Sequence, residues 1–223
     1  MLMRCRFSDI EMVLLIVGRE ETEILVHENV LFKASSVFKT AFTSRFKEGS
    51  ERTIYLPDDD AALMDVLVQS LYSPASKLNG IDTTMELLHL YVLADKYDVV
   101  KIKNTICKRV LSSLHVERSL SARGKNDTTC PKFSEVEFIY ENTTSTAPMR
   151  RVLVDWFVWG AGLAWYNTEE CRSGLLSVPE FAVDLCAVLG KDFSKKAKAR
   201  PFMNRTWVYL EEESIMDRDQ IKE

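Results

Sequence analysis

Histidine and cysteine are the side chains of this sequence that would most readily supply a nucleophile, a general base or a metal ligand. The three histidines, His27, His89 and His115, are far apart, and none has the spacing of a zinc-protease helix or another catalytic motif. The cysteines are also scattered, without a CxxC pair or a histidine spaced for zinc ligation. They are Cys5, Cys107, Cys130, Cys171 and Cys186. The sequence therefore predicts reduced thiols, and no catalytic residue, metal or cofactor.

A phosphate-binding loop is not indicated either, because Gly18 and Gly49 stand alone in the sequence. His27 lies where a predicted strand meets a predicted helix, and a hydrogen bond from its ring to the backbone is the ordinary role of such a residue. One hypothesis, ranked third after the two given at the end of this subsection, is an enzyme whose site forms only when residues distant in sequence come together. It would need a metal or a small ligand bound in the structure.

The composition, with 223 residues of which 46% are hydrophobic and 28% charged, is typical of a globular protein with a sizeable core. The net charge of −4 gives no electrostatic reason to expect nucleic acid or an anionic membrane as the main partner. A basic cluster from Lys191 to Arg200 precedes Trp207 and Tyr209. In an acidic protein such a lysine run is usually a solvated loop, so no nucleic-acid contact is predicted.

The first ten residues carry charges at Arg4, Arg6 and Asp9, which interrupt the apolar core that a signal peptide requires. The longest later apolar run, Val152 to Tyr166, contains Asp155 and is short for a bilayer span. We interpret it as a buried helix. A cytoplasmic or nuclear protein without a membrane span is therefore expected.

The stretch from His27 to Phe42 is the element around which we expect the N-terminal half to fold. Its large apolar residues recur at helical spacing. They are Leu31, Phe38, Ala41, Phe42 and then Phe46. Ser35 and Ser36 precede the longer apolar run, where a hydroxyl can accept the unpaired amide hydrogens of a starting helix. Two helices are therefore predicted after His27.

Strands are predicted at Met12 to Val17, Ile24 to Val26 and Thr53 to Leu56, and the polar residues Arg19 to Glu23 connect the first two. The first strand does not alternate polar and apolar residues, so we expect both of its faces to be covered. The polar residues from Lys47 to Arg52 are predicted to form a loop.

Three further helices complete the predicted N-terminal unit. The first follows the aspartates Asp58 to Asp60, whose charge favours a helix start. The second starts at a capping box of Thr83 and Glu86, and the third has Asp98 as its predicted cap. The predicted inward-facing residues are Leu63, Val66, Leu67, Leu71, Leu87, Leu90, Tyr91, Ala94, Tyr97, Ile102, Ile106, Val110 and Leu114. The lysines of the third helix are predicted to face water: Lys101, Lys103 and Lys108.

The order of these elements, together with several residues in the same order, resembles the BTB/POZ domain. In the helical stripe the residues that carry the resemblance are His27, Leu31, Ser35, Phe38 and Phe42. The others are Phe7-Ser8-Asp9, Phe46-Lys47-Glu48, Leu56-Pro57, Leu71-Tyr72 and Ala94-Asp95-Lys96-Tyr97. The resemblance implies an α+β, Skp1-like fold with a small, mainly three-stranded sheet and a helical cluster over residues 7–115.

The second half begins with residues 116–133, which are polar, include Gly124 and Pro131, and are predicted to form a linker. An all-α extension is predicted for residues 134–223, with helices at Val136–Tyr140, Met149–Tyr166 and Pro179–Leu189. The buried face of the middle helix is predicted from Val152, Trp156, Trp159 and Leu163, broadened by Phe157 and Ala164. This half, including Tyr140-Glu141-Asn142-Thr143 and Val178-Pro179-Glu180-Phe181, resembles the extension that follows the BTB domain in many fungal proteins.

A BTB-like module is implied to bind other proteins and, in many members, to dock a cullin-3 scaffold so that a bound client is ubiquitinated. Such adaptors carry a hydrophobic residue, any residue and a glutamate after the second helix, and Phe46-Lys47-Glu48 fits this form. Phe46 would anchor in an apolar pocket while Glu48 pairs at its rim. The competing interpretation, which the sequence leaves open, places Phe46 in the module's own core and Glu48 in solvent.

Homotypic contacts are also implied by the resemblance, but homodimeric members exchange a helix and a strand that precede the first core strand. Only Met1 to Asp9 precede it here, which argues against a strand-swapped dimer and favours a monomer or a dimer through another face. The first hypothesis is a non-catalytic adaptor for a cullin-3 ubiquitin ligase. The alternative is a structural or transcription-related oligomerisation module without ligase involvement.

Overall fold

A computed structural model describes residues 11–43, 47–73, 78, 81, 83–121, 131–160, 165–192 and 210–211. The strands within these ranges are β1 (Met12–Val17), β2 (Thr22–His27) and β3 (Thr53–Leu56). The helices that accompany the sheet are α1 (Glu28–Ala34), α2 (Ser36–Thr43), α3 (Lys47–Glu51), α4 (Ala61–Tyr72), α5 (Thr84–Lys96) and α6 (Val100–Ser121). The later helices are α7 (Phe133–Asn142), α8 (Pro148–Gly160), a 3-10 turn (Trp165–Asn167), α9 (Glu169–Ser177) and α10 (Pro179–Asp192).

The sheet has the order β2-β1-β3, with β1 antiparallel to β2 and parallel to β3. Val13 pairs with Val26 across the hairpin, and Leu15 pairs with Ile54 on the parallel side. Gly18 opens the hairpin turn with a φ of +75°, a conformation that glycine adopts without strain. The predicted α+β fold with a three-stranded sheet and many helices is confirmed.

The two faces of β1 differ, and here the prediction was wrong for one face. Val13, Leu15 and Val17 are buried, whereas the residues between them are only partly covered. On that second face the neighbouring strands expose Leu25 and Tyr55. An apolar run shows that a strand is hydrophobic but not how far each face is covered by other elements.

The break between α1 and α2 lies at Ser35, as predicted, because this residue is extended and its side-chain oxygen accepts the Phe38 N–H at 3.1 Å. The next prediction was wrong, since residues 47–51 form the short helix α3 and not a loop. Gly49 and Ser50 are poor helix formers, so packing of α3 against α2 and β3 outweighs local propensity.

Two of the helices after β3, α4 and α5, begin where they were predicted to begin. Asp60 accepts the Leu63 N–H at 2.9 Å, and Thr83 and Glu86 exchange both capping-box hydrogen bonds, at 3.0 and 3.2 Å. The predicted inward residues of α5 are all buried: Leu87, Leu90, Tyr91 and Ala94, with Tyr97 just after the helix. On α4 the predicted buried face was displaced by about one residue from the observed one. Its buried residues are Met64, Leu67, Val68 and Ser70, whereas Leu63, Val66 and Leu71 are partly exposed.

Two polar residues near α6 differ from their predictions. Asp98 does not cap this helix, because it lies in the left-handed region with a φ of +52° and ends α5, where the Val99 N–H donates to the Ala94 carbonyl at 2.8 Å. Lys103 was predicted to face water, but it is buried and paired with a carboxylate. Each of the two side chains pairs with a residue that is distant in sequence: Asp98 with Ser36, and Lys103 with Glu211.

The second half contains the predicted helices with changed bounds. α6 continues to Ser121, past the start of the predicted linker at residue 116, because neither proline nor glycine interrupts it there. α8 ends at Gly160, and α9 was missed, although Thr168 caps it by accepting the Cys171 N–H at 3.2 Å. The predictions for Phe7-Ser8-Asp9, Cys5, Cys130, Leu163, Ala164, residues 193–200 and the side chains of Leu114, His115, Trp159 and Lys191 lie outside the described residues.

The chain divides into two compact units, one of Met1–Asp82 with His89–Ile102 and one of Thr83–Leu88 with Lys103–Glu223. Buried residues of the first include Leu15, Leu31, Phe38 and Met64, and those of the second include Val136, Met149, Phe157 and Phe181. None of the described helices is by itself long and apolar enough to cross a membrane. The helix pair Glu169–Ser177 and Pro179–Gly190, bent by 112°, meets the length and composition criteria when taken together.

Candidate partner-binding site

The predicted partner motif is described in part. Phe46 and the side chain of Lys47 lie outside the described residues, and Glu48 is a partly exposed residue in the first turn of α3. The choice between a partner contact and a core role for Phe46 therefore stays a prediction. What the structure describes is the pair of helices on either side of Phe46.

The inner face of α2 is fixed by two aromatic side chains, Phe38 and Phe42, which are both buried. The Phe38 ring stacks on the Tyr97 ring with 4.5 Å between centroids, and the Phe42 ring lies 5.8 Å from that of Phe32. Burying a phenylalanine side chain stabilises a fold by roughly 1.5–3 kcal/mol. α2 is thus held firmly by the face that points into the protein.

The outer face of α2 consists of Val37, which is 41% exposed, and the exposed residues Lys39, Thr40 and Thr43. Both threonine hydroxyls donate to carbonyls one turn earlier in the same helix, at 2.9 and 2.7 Å. Their donors are therefore engaged within the helix. We name Val37, Thr40, Thr43 and Glu48 the α2–α3 surface, since α3 contacts α2.

The start of α2 is tied to the end of α5 by two adjacent serines. The Ser35 hydroxyl donates to the Tyr97 carbonyl at 2.5 Å, and the Ser36 hydroxyl donates to the Asp98 carboxylate at 2.5 Å. Asp95, another residue of the predicted fold motif, is partly exposed, and its carbonyl accepts the Asp98 N–H at 3.1 Å. The structure therefore brings together the N-terminal and C-terminal parts of this motif.

Tyr97 makes a further contact through its hydroxyl, which donates to Asp59. The second oxygen of Asp59 lies 2.7 Å from the Lys96 ammonium, and the carboxylate is almost fully buried. Burial, followed by the hydrogen bond and the charge of Asp59, raises the pKa of Tyr97 well above its usual range. Asp59 was predicted only to favour a helix start, so this contact was missed.

His27 joins the end of β2 to the end of α4. Its backbone N–H donates to the Tyr72 hydroxyl oxygen at 2.8 Å, and its ring Nδ1 lies 2.7 Å from the same oxygen. The hydroxyl hydrogen is then available to donate to Nδ1 of a neutral ring. The prediction of a bond between the ring and the backbone was wrong, because the partner of the ring is a side chain.

Arg52 is a structural residue that the sequence reasoning missed. Its guanidinium contacts the carboxylates of Glu11, at 2.8 Å, and Glu28. Arg52 directly precedes β3, Glu11 directly precedes β1, and Glu28 is the first residue of α1. Because they are far apart in the sequence, no local pattern indicates the contact.

The second unit contains a comparable centre at Arg150, which was also missed. This arginine is buried and donates to the Tyr140 carbonyl at 2.6 Å, to the carbonyl and hydroxyl oxygens of Thr143, and to Glu180 at 2.8 Å. The Tyr140 hydroxyl donates to Asp184 at 2.8 Å. Burial, and then Asp184, raise the pKa of Tyr140. Arg150 thus connects the two sequence segments that resemble the fungal extension.

Residues able to do chemistry are dispersed in the described part of the chain, where no three His, Cys, Asp or Glu side chains form a potential metal site. Cys107 and Cys171 are buried free thiols, and Cys186 is an exposed one. Burial, with a smaller contribution from Glu211, raises the pKa of Cys107 to about 12, and burial also raises the pKa of Cys171. A protonated thiol is a poor nucleophile, so these two buried sites favour packing over catalysis.

Comparisons with known proteins agree with the resemblance found in the sequence. The family model described as BTB/POZ domain matches residues 3–114. BTB/POZ domain-containing protein At2g30600 of Arabidopsis thaliana is 30% identical over 141 residues, which cover 58% of this chain and 17% of that protein. Kelch repeat and BTB domain-containing protein 4 of Homo sapiens is 31% identical over 93 residues, which cover 42% of this chain and 16% of that protein. The chain thus spans only about a sixth of the length of these relatives.

Proposed function

Since the chain belongs to the BTB/POZ domain family, whose members are non-catalytic protein-interaction modules, we propose that it is an adaptor that docks a cullin-3 scaffold through Phe46, Lys47 and Glu48. A client protein bound elsewhere on the adaptor would then be presented for ubiquitination. The human relative is named for kelch repeats beside a BTB domain, which supports a role as one module among several.

The observation that carries this proposal is the contrast between the two faces of α2. Its inner face is held by the buried Phe38 and Phe42, while its outer face exposes Val37 and small hydroxyl residues. A helix that is held by its inner face, and that is followed by one aromatic residue and one carboxylate, suits a docking surface in which a single anchor carries most of the binding energy. Phe46 supplies the anchor and Glu48 the rim charge.

The test is a pull-down of purified cullin-3 with the full chain. We expect wild type to bind and the double variant Phe46→Ala with Glu48→Ala to lose binding while keeping its circular dichroism spectrum. Lys47→Ala is the matched control, because the middle position of the motif accepts any residue. If wild type binds no better than the double variant, the adaptor proposal fails.

The domain division and the location complete the proposal. We propose a BTB/POZ domain at 7–115, a linker at 116–133 whose residues 116–121 continue α6, and a helical extension of the fungal type at 134–223, acting in the cytoplasm or nucleus. Limited proteolysis with mass spectrometry tests the division, since the first cut is expected inside the linker. Microscopy of a fluorescent fusion tests the location.

The alternative function, an oligomerisation module, is favoured by two exposed apolar residues of the extension. Leu176 on α9 is 80% exposed and Val183 on α10 is 68% exposed. Trp156 contacts Phe157 and is buried, so it belongs to the core and not to this surface. Multi-angle light scattering distinguishes the functions: a strict monomer at high concentration removes the alternative, and a dimer lost in Leu176→Ser with Val183→Ser supports it.

A further inference from the structure

Two adjacent polar residues of α6, Lys103 and Asn104, are only 4% and 3% exposed. The Asn104 Nδ2–H donates to the Glu211 carbonyl at 3.1 Å, and its Oδ1 accepts the Glu211 N–H at 2.9 Å. One side chain therefore pairs with both backbone groups of a residue 107 positions away, as a neighbouring β-strand does. This pairing involves only the backbone of the bound residue, so every residue type except proline, which has no N–H, can form it.

The side chain of Glu211 is recognised by its negative charge. The Lys103 ammonium lies 2.5 Å from a carboxylate oxygen of Glu211, and the lysine side chain is almost fully buried. Removing the carboxylate partner of a buried ammonium is strongly unfavourable. Cys107 lies near the same charges: burial is the main cause that raises its pKa, Glu211 raises it further, and Lys103 and Arg151 lower it. The Lys103 ammonium therefore favours an acidic residue at this position.

We propose that Lys103 and Asn104 form an acceptor site for an extended acidic segment of a partner protein, which Glu211 of the same chain occupies when that partner is absent. Among the described residues, Glu211 is held by two backbone hydrogen bonds and one ion pair, and a separate peptide can form all three. Competition by the linked segment lowers the apparent affinity for a separate peptide, since only the unoccupied fraction binds. This site is independent of the cullin-docking motif, so either proposal can fail alone.

The experiment uses the full chain and a fluorescein-labelled peptide of residues 206–216. In an open variant, Glu211, Glu212 and Glu213 are all replaced by alanine, which also prevents a neighbouring glutamate from taking the place of Glu211. Fluorescence anisotropy should show that the open variant binds the peptide about tenfold more tightly than wild type. A control peptide with glutamine at these three positions should bind the open variant at least about a hundredfold more weakly than the natural peptide, because the ion pair with the buried Lys103 is lost.

Two further changes in the open variant locate the binding. Asn104→Ala should abolish peptide binding by removing both backbone hydrogen bonds. Lys103→Met should also abolish it, and it keeps the fold because methionine fills the space without needing a carboxylate, as equal or higher melting temperatures would show. Equal peptide affinity of wild type and the open variant, or equal binding of the acidic and glutamine peptides, would overturn the proposal. A wild-type dimer that the open variant loses would also overturn it, by assigning the site to a second copy.

Discussion

The ring of Phe38 in α2 lies parallel to the ring of Tyr97 after α5, with 4.5 Å between centroids and 12° between planes. Tyr97 also accepts the Ser35 hydroxyl at its carbonyl and donates its own hydroxyl to Asp59. One tyrosine thus holds the start of α2, its inner face and the residue next to the cap of α4. The α2–α3 surface proposed to meet the partner depends on this packing.

Phe38→Ala tests the packing directly. Because the side chain is fully buried, the substitution should lower the free energy of unfolding by about 3–5 kcal/mol, through lost transfer energy and a cavity. Val37→Ala, one residue earlier on the exposed face, should change it by about 0.5 kcal/mol or less. Urea unfolding followed by circular dichroism measures both. Similar losses at the two positions would contradict the assignment of the faces.

Alkaline pH should weaken the fold through Tyr97 and Tyr140. Their pKa values are raised in the folded protein, so above pH of about 10 the unfolded chain loses these protons first and the folded chain retains them. Each tyrosine then lowers the free energy of unfolding by about 1.4 kcal/mol per pH unit, and its stabilisation is fully present below pH 10.

Tyr97→Phe checks this slope. At pH 7 the variant should be less stable than wild type by about 1 kcal/mol, because Asp59 loses a hydrogen-bond donor. The difference should narrow above pH of about 10, since the variant has no proton to lose at this position. Tyr140→Phe should behave in the same way through Asp184. A difference from wild type that stays constant between pH 7 and 11 would show that the hydroxyl proton is not retained.

Arg150 should be far more important for stability than its neighbour. Arg150→Met leaves the Tyr140 and Thr143 carbonyls without their buried donor and should lower the free energy of unfolding by about 3 kcal/mol. Arg151→Met, at an exposed position of the same helix, is the matched control and should cost about 0.5 kcal/mol or less. Glu180→Gln should cost at most about 1 kcal/mol, because that side chain is mostly exposed. Thermal unfolding ranks the three variants.

Gly174 and Gly190 form a second matched pair. A Cβ atom at Gly174 would lie 2.1 Å from the Phe133 ring, which is packed between other aromatic rings, including Phe157 and Trp165. Gly174→Ala should therefore destabilise the protein by about 1–3 kcal/mol through overpacking. A Cβ at Gly190 meets nothing within 4 Å, so Gly190→Ala should be neutral or gain up to about 1 kcal/mol of helix propensity. Equal effects of the two substitutions would refute the close contact.

The features that could be predicted from sequence are mainly those with a local cause. Apolar runs located the three strands, short-range hydrogen bonding located the caps at Ser35 and Thr83, and the negative charge of Asp58 to Asp60 located the start of α4. The buried residues of α5 followed from helical spacing. The ordered motifs from His27 to Tyr97 indicated the BTB/POZ domain, and the family model confirms it.

The roles of the polar side chains were decided by the tertiary structure. Asp98 was predicted to cap a helix and Lys103 to face water, yet each is paired with a residue 62 or more positions away. Arg150 gave no sequence signal, because its partners lie on two separate segments, one at Tyr140 and Thr143 and the other at Glu180. A helix cap or an apolar stripe depends on residues three or four positions apart, so it can be recognised in the sequence. A buried charge pairs instead with an opposite charge or a carbonyl that folding brings within about 3 Å, and no sequence spacing specifies that partner.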